Sequence, residues 1–221
     1  RELFAICDHI TVMRNGKVVS ELEMDGLTIN DVVSEMLGST TRDPFVREQG
    51  ELGEILIEVN HLCDVSGKVK DVSFYAKRGE VIGISGLVGA GKTELAKCLF
   101  GENPKLSGSI RIHGKEINVR TPHEAVKAGL GLVPEERRKE GVQIAHSIKE
   151  NLSSVNLDSY TKFSFVNRVK EKAAAQKMVE ELKIKTPNVD QPVAFLSGGN
   201  QQKVVIGKWL GSDCEVYIMD E

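Results

Sequence analysis

Gly86-Leu87-Val88-Gly89-Ala90-Gly91-Lys92-Thr93 is the stretch that decides the fold. It matches the pattern G-x-x-x-x-G-K-[ST], and the chemistry needs each part. Glycines let consecutive backbone N–H groups curl around phosphate oxygens. A helix starting near Lys92 aims its positive end at the same anion. Lys92 can then reach the β- and γ-phosphates of a nucleotide, and Thr93 can offer its hydroxyl to Mg²⁺. Context separates this from a chance glycine turn. Val81-Ile82-Gly83-Ile84 is expected as a buried strand running into the loop, and Glu94–Phe100 as the helix leaving it.

Working outward, strands are expected at Ile55-Ile57-Val59, at Val72-Phe74 and at Val216-Tyr217-Ile218-Met219, the last one buried. Ile110 and Ile112, His113-Gly114, then Ile117 and Val119 form a hairpin pattern. Helices are expected at Pro122–Ala128, Ile148–Leu152, Asn167–Leu182 and Asn200–Leu210. Strand–loop–helix alternation implies an α/β core with parallel strands. Towards the N-terminus, Ile10–Met13 and Lys17–Val19 flank Asn15-Gly16, a two-residue hairpin turn. Thr28 opens a helix with Asp31 in the capping-box position. Ile29, Val32, Val33, Met36 and Leu37 form its apolar face, and Gly38 is its stop. This gives a small unit at 1–38, a linker at 39–53 carrying Pro44 and scattered charges, and a second domain at 54–221.

Composition narrows the function classes. The chain has 221 residues, 40% apolar and 28% charged, with a net charge of −3. That is ordinary globular composition and supplies no basic field for nucleic acid. Arg137-Arg138-Lys139 is the densest basic cluster and is expected as a solvated loop. Cys7, Cys63, Cys98 and Cys214 have no metal or redox spacing, which argues against a zinc site and fits reduced thiols. No apolar run approaches the roughly 20 residues that span a bilayer. The first residue is not Met and the last follows a strand-like run, so both ends are expected to be cut from a longer protein.

Two further stretches carry chemistry. Asp220 and Glu221 end an apolar strand, and ligands of open parallel sheets lie at the carboxyl ends of strands. Asp220 is suited to hold Mg²⁺, and Glu221 to polarise an attacking water as general base. Leu196-Ser197-Gly198-Gly199-Asn200-Gln201-Gln202-Lys203 is a second anion nest. Ser197 can cap, the glycines expose N–H groups, and a helix N-terminus lies behind them.

The octet at 196–203 resembles the signature of the ABC ATPases, and its place between the phosphate loop and the acidic strand follows their order. The resemblance implies a P-loop NTPase fold with a RecA-like core, a small antiparallel β subdomain and a helical signature subdomain. It implies ATP and Mg²⁺ as cofactors, held by Gly86, Leu87, Val88, Gly89, Ala90, Gly91, Lys92 and Thr93, with Thr93, Asp220 and Glu135 on the metal. Glu221 and Lys92 would be catalytic. Ser197, Gly198, Gly199 and Asn200 would contact ATP bound by a partner ATPase domain. Glu135 stands where these proteins usually have glutamine, and Val65 and Ser66 where an adenine-stacking aromatic is expected.

Val133-Pro134-Glu135-Glu136-Arg137-Arg138 with Glu140-Gly141, the segment 89–95 and the Asn200 form of the signature resemble a narrower group. These are the tandem ATPases of ribose-, xylose- and galactose-type importers. Residues 1–38 resemble the end of a preceding ATPase domain, which makes 54–221 most of a second. Membership implies ATP hydrolysis that powers sugar import at the cytoplasmic face of the membrane, with permease subunits as partners. A sugar-binding protein would act indirectly, and nucleic acid is no partner. The piece by itself is expected to bind nucleotide weakly and turn over almost nothing. Two other readings stand beside this one: a non-transport ABC ATPase, and a regulatory domain with a degenerate site.

Overall fold

The computed structural model describes residues 2–14, 16–38 and 50–220. Asn15, most of the expected linker (39–49) and Glu221 lie outside the described residues. The chain divides into two compact units, 1–50 and 51–221.

In the first unit a short helix α1 (Leu3–Ile6) precedes an antiparallel hairpin of β1 (His9–Arg14) and β2 (Lys17–Glu23), closed by the pair Arg14↔Lys17. Helix α2 (Ile29–Leu37) follows. Thr28 caps it: its hydroxyl accepts from Asp31 N at 3.3 Å, and Asp31 Oδ2 accepts from Thr28 N at 2.9 Å. Gly38 ends it at φ +71°. Ile10, Val12 and Val32 form the core, with Phe4, Leu22, Met24 and Leu27 packed on it. The expected helix face is only partly used, because Ile29 and Met36 are about half exposed.

The second unit opens with β3 (Ile55–Asp64) and β4 (Val72–Lys77). With β5 (Lys105–Ile112) and β6 (Lys115–Ile117) they form an antiparallel sheet of order β4-β3-β5-β6. The β5–β6 turn is His113-Gly114, both at positive φ. Val59, Leu62 and Ile110 are fully buried on the inner face, while Ile55, expected inward, is 40% exposed because the register shifts between Ile55 and Ile57. Helix α3 (Lys92–Leu99) packs on β3, with Leu95, Cys98 and Leu99 inward.

Helix α4 (Pro122–Lys127) leads into β7 (Leu130–Val133), which pairs in parallel with β10 (Val216–Met219). Between them lie a π-helical turn (Arg137–Gly141), α5 (Ile148–Ser153), a hairpin of β8 (Thr161–Lys162) and β9 (Phe165–Val166), α6 (Arg168–Glu181) and α7 (Gly198–Leu210). Helices α5, α6 and α7 meet at Gly207: a β-carbon there would lie 2.7 Å from Leu152, 2.9 Å from Leu182 and 3.1 Å from Met178. Trp209 on α7 meets Phe100 edge-on, centroids 5.8 Å apart, and covers Gly131 of β7.

Two expectations need correction. Val81-Ile82-Gly83-Ile84 is not a buried strand: it carries no ladder among the described residues, and Val81, Ile82 and Ile84 are 74, 40 and 51% exposed. Apolar content alone cannot make a strand; a neighbour must take its backbone groups. β10 is likewise not buried throughout, since Tyr217 and Met219 face outward while Val216 and Ile218 are half-buried.

Candidate nucleotide site

The glycine loop ends in Gly91, the N-cap of α3 at φ +92°. A β-carbon at Gly91 would stand 2.8 Å from the carbonyl oxygen of Lys68. Only glycine therefore allows both the left-handed turn and the close approach of the segment after β3. Gly89 is also left-handed, at φ +81°, but faces open space. Leu87 and Val88 are almost wholly exposed, which leaves the loop's outer rim free. Lys92 folds back over the loop, its Nζ donating to the Gly86 carbonyl at 3.0 Å. Thr93 follows in the first turn of α3, where backbone N–H groups have no intrahelical acceptor.

The segment 64–69 forms one wall. Asp64 is buried, and its Oδ1 accepts from Val69 N at 2.9 Å while Oδ2 takes the Ser66 hydroxyl. Lys68 closes an ion pair to Glu94, the residue after Thr93. The hydrogen bond from Lys68 holds the Glu94 carboxyl below the usual carboxylate range. Val65 stands 59% exposed at the tip. Sequence reasoning missed this wall, since Lys68 and Glu94 are 26 residues apart.

The acidic candidates sit at the carboxyl end of the parallel pair. Met219 pairs with Val133, and Asp220 N donates to the Val133 carbonyl at 2.9 Å. Glu135, two residues past Val133, is exposed and leaves the sheet at the same end as Asp220. Lys97 of α3 ties this end to the phosphate-loop helix. Its Nζ pairs with Glu140 at 2.8 Å, and that bond raises its pKa, with Glu102, Glu140 and Asp220 adding favourable charge. A threonine hydroxyl and two carboxylates are the hard oxygen donors that suit Mg²⁺. Glu221 lies outside the described residues.

The stretch expected as a second anion nest opens α7. Ser197 is the N-cap by backbone angles, φ −62° and ψ 157°, but makes no capping hydrogen bond. Its hydroxyl instead accepts from Asn200 Nδ2 at 2.9 Å, while Asn200 Oδ1 accepts from Lys185 N at 3.0 Å. The expected cap is thus replaced by a side-chain pair, which leaves the first-turn N–H groups open. Asn200 has a local positioning role, its amide being engaged at both ends.

A family profile described as ABC transporter matches residues 69–221. The chain belongs to the ABC transporter family. Among curated ABC relatives, the xylose import ATP-binding protein XylG of Thermoanaerobacter pseudethanolicus is 43% identical over the whole chain. The ribose import ATP-binding protein RbsA of Bacillus subtilis is 40% identical over the same span. The chain spans 45% and 44% of their respective lengths. A solved nucleotide-free ATP-binding cassette from an ABC transporter superposes with a TM-score of 0.62 at 21% identity, covering 76% of this chain and 69% of that one. The fold of this ABC chain is accordingly that of the P-loop NTPases. No helix among the described residues is long and apolar enough to cross a membrane.

Proposed function

We propose that residues 54–221 belong to an ATPase domain that binds and hydrolyses Mg-ATP to drive sugar import, and that residues 1–38 end a preceding ATPase domain. The single observation that carries this reading is the loop at 86–93. It is glycine-turned at Gly91 and closed by Lys92, and it stands at the N-terminus of a helix. The relatives, import ATP-binding proteins for xylose and ribose, support the sugar class.

In this reading the Lys92 ammonium exchanges the Gly86 carbonyl for phosphate oxygens. Backbone N–H groups of the loop and the first turn of α3 wrap the same anion. Thr93, Asp220 and Glu135 would hold Mg²⁺, which when bound neutralises developing phosphate charge. Glu221 would orient and deprotonate the attacking water. Ser197, Gly198 and Gly199 would meet ATP held by a partner ATPase domain. Permease subunits would dock at the cavity of about 380 Å³ lined by Phe100, Leu132, Pro134, Glu140, Lys208 and Trp209. It adjoins the segment carrying Glu135, so docking and the metal end of the site share one loop. The protein would therefore work at the cytoplasmic face, with the sugar-binding protein reached only through the permease.

The test uses the full-length protein with its permease in vesicles. Lys92→Ala is expected to abolish ATP binding by this domain. Glu221→Gln is expected to bind ATP and halt turnover. Normal turnover by Glu221→Gln would remove the general-base assignment, and unaltered nucleotide binding by Lys92→Ala would remove the site.

A further inference from the structure

Arg137 heads the π-helical turn Arg137–Gly141, two residues beyond Glu135, and its side chain reaches the start of α7. A β-carbon on Gly198 would lie 2.6 Å from Nη2 of Arg137 and 3.5 Å from Cζ. The guanidinium thus rests against the first turn of α7, in the space that a side chain at 198 would enter. Its Nε is sealed from solvent and has no hydrogen-bond partner. Among the described residues the guanidinium has no ion pair. The neighbouring carboxylates are spent elsewhere, Glu136 on Lys139 at 2.5 Å and Glu140 on Lys97 at 2.8 Å.

This arrangement is electrostatically uphill as it stands. A helix N-terminus carries about half a positive charge, so a cation beside it is repelled. A buried N–H without an acceptor adds a desolvation cost. Both penalties disappear when an anion lies between the guanidinium and the first-turn N–H groups that Ser197 leaves open. The planar fork of arginine suits a phosphate better than any other cationic side chain.

We propose that Arg137 is a phosphate-binding residue of the signature turn, contacting the terminal phosphate of ATP presented by a partner ATPase domain. The proposal rests on the trans-acting reading of Ser197–Gly199 given above. It accounts for glycine at 198, since a larger residue would displace the guanidinium. It also joins the two ends of the machinery: Arg137 N donates to the Glu135 carbonyl at 3.1 Å, so one short segment serves the domain's own metal end and its partner's nucleotide.

The test compares Arg137→Met, which keeps aliphatic bulk against Gly198, with Arg137→Lys, which keeps the charge, in the full-length protein. ATP-driven association of ATPase domains is measured in the Glu221→Gln background, and turnover in the native one. Binding of a fluorescent ATP analogue to the phosphate loop is measured before association. Arg137→Met should lose association and turnover by roughly tenfold or more, the scale of one charge-assisted hydrogen bond. Phosphate-loop binding and thermal stability should stay native, and Arg137→Lys should recover part of the loss. Native association and turnover in Arg137→Met would overturn the proposal. So would a loss that the charge-retaining variant fails to lessen, or one shared equally by phosphate-loop binding. Lys92→Ala and Ser197→Arg run alongside. If both are silent, the ATPase reading itself fails; if both abolish turnover while Arg137→Met is silent, only the role of Arg137 falls.

Discussion

At the scale of single residues, two positions carry sharp expectations. Gly91 is left-handed and pressed against a backbone carbonyl, whereas Gly89 is left-handed in open space. A left-handed alanine costs about 1–2 kcal/mol from its own backbone. Gly91→Ala adds a collision that the Lys68 carbonyl cannot relieve without moving the segment 64–69. Gly91→Ala should therefore weaken ATP binding by more than about tenfold, and Gly89→Ala by clearly less. Calorimetric titration of both variants checks the order. Lys208 is the second position. Burial lowers its pKa from 10.5 to about 8, although its Nζ donates to the Gly141 carbonyl at 2.7 Å and lies 5.1 Å from the Trp209 ring. Below pH 8 the folded chain carries a partly buried charge that the unfolded chain holds in water. Between pH 8 and 10.5 the unfolded state binds the extra proton, so this penalty fades as pH rises. Lys208→Met should be more stable than the native chain at pH 7, with the gap shrinking towards pH 10.5 in denaturant titrations. A gap independent of pH would mean that desolvation does not lower the Lys208 pKa.

At the scale of elements, local chemistry and packing make separate contributions. The capping boxes at Thr28/Asp31 and Ser147/Glu150 and the N-cap at Asn167 are written in short-range sequence, and they start α2, α5 and α6. How α7 sits on its neighbours is not. Gly207 is the residue where three helices close, and nothing around it in the chain announces this. Gly207→Val would push a branched side chain into Leu152, Leu182 and Met178. It should cost about 1–3 kcal/mol by overpacking, despite the better helix propensity of valine. Urea unfolding checks this, and an increase in stability would show that the helices part easily. Asp190 adds an electrostatic tie between α5 and α6 by bonding Lys149 and Lys172, which lowers its pKa to about 2. That tie is present above pH 3.8 and is lost as pH falls towards 2.

At the scale of the whole molecule, the two units have separate cores, and Trp209, the single tryptophan, belongs to the second. Its emission should be blue-shifted in the folded chain and should follow the unfolding of residues 51–221 alone. The core of Ile10, Val12 and Val32 is small, and a core of that size is marginal. Far-UV circular dichroism should therefore show an earlier transition that Trp209 fluorescence does not. Coincident urea transitions by both probes would mean that the units unfold together.

The phosphate loop, the helix starts and the hairpin turns are legible in the amino-acid sequence, because each is set by residues within a few positions of one another. Gly91 must be glycine for its own φ, and Thr28 caps whatever helix follows it. The signature nest is legible as a pattern, but its cap is not. Whether Ser197 bonds the backbone or Asn200 depends on Lys185, which engages the Asn200 amide from outside the octet. The exposure of Val81–Ile84, the wall that Lys68 builds against Gly91, and the guanidinium of Arg137 against Gly198 belong to the tertiary structure alone. Each depends on which distant segment comes alongside, and a strand or a buried charge is defined by that neighbour rather than by its own residue type.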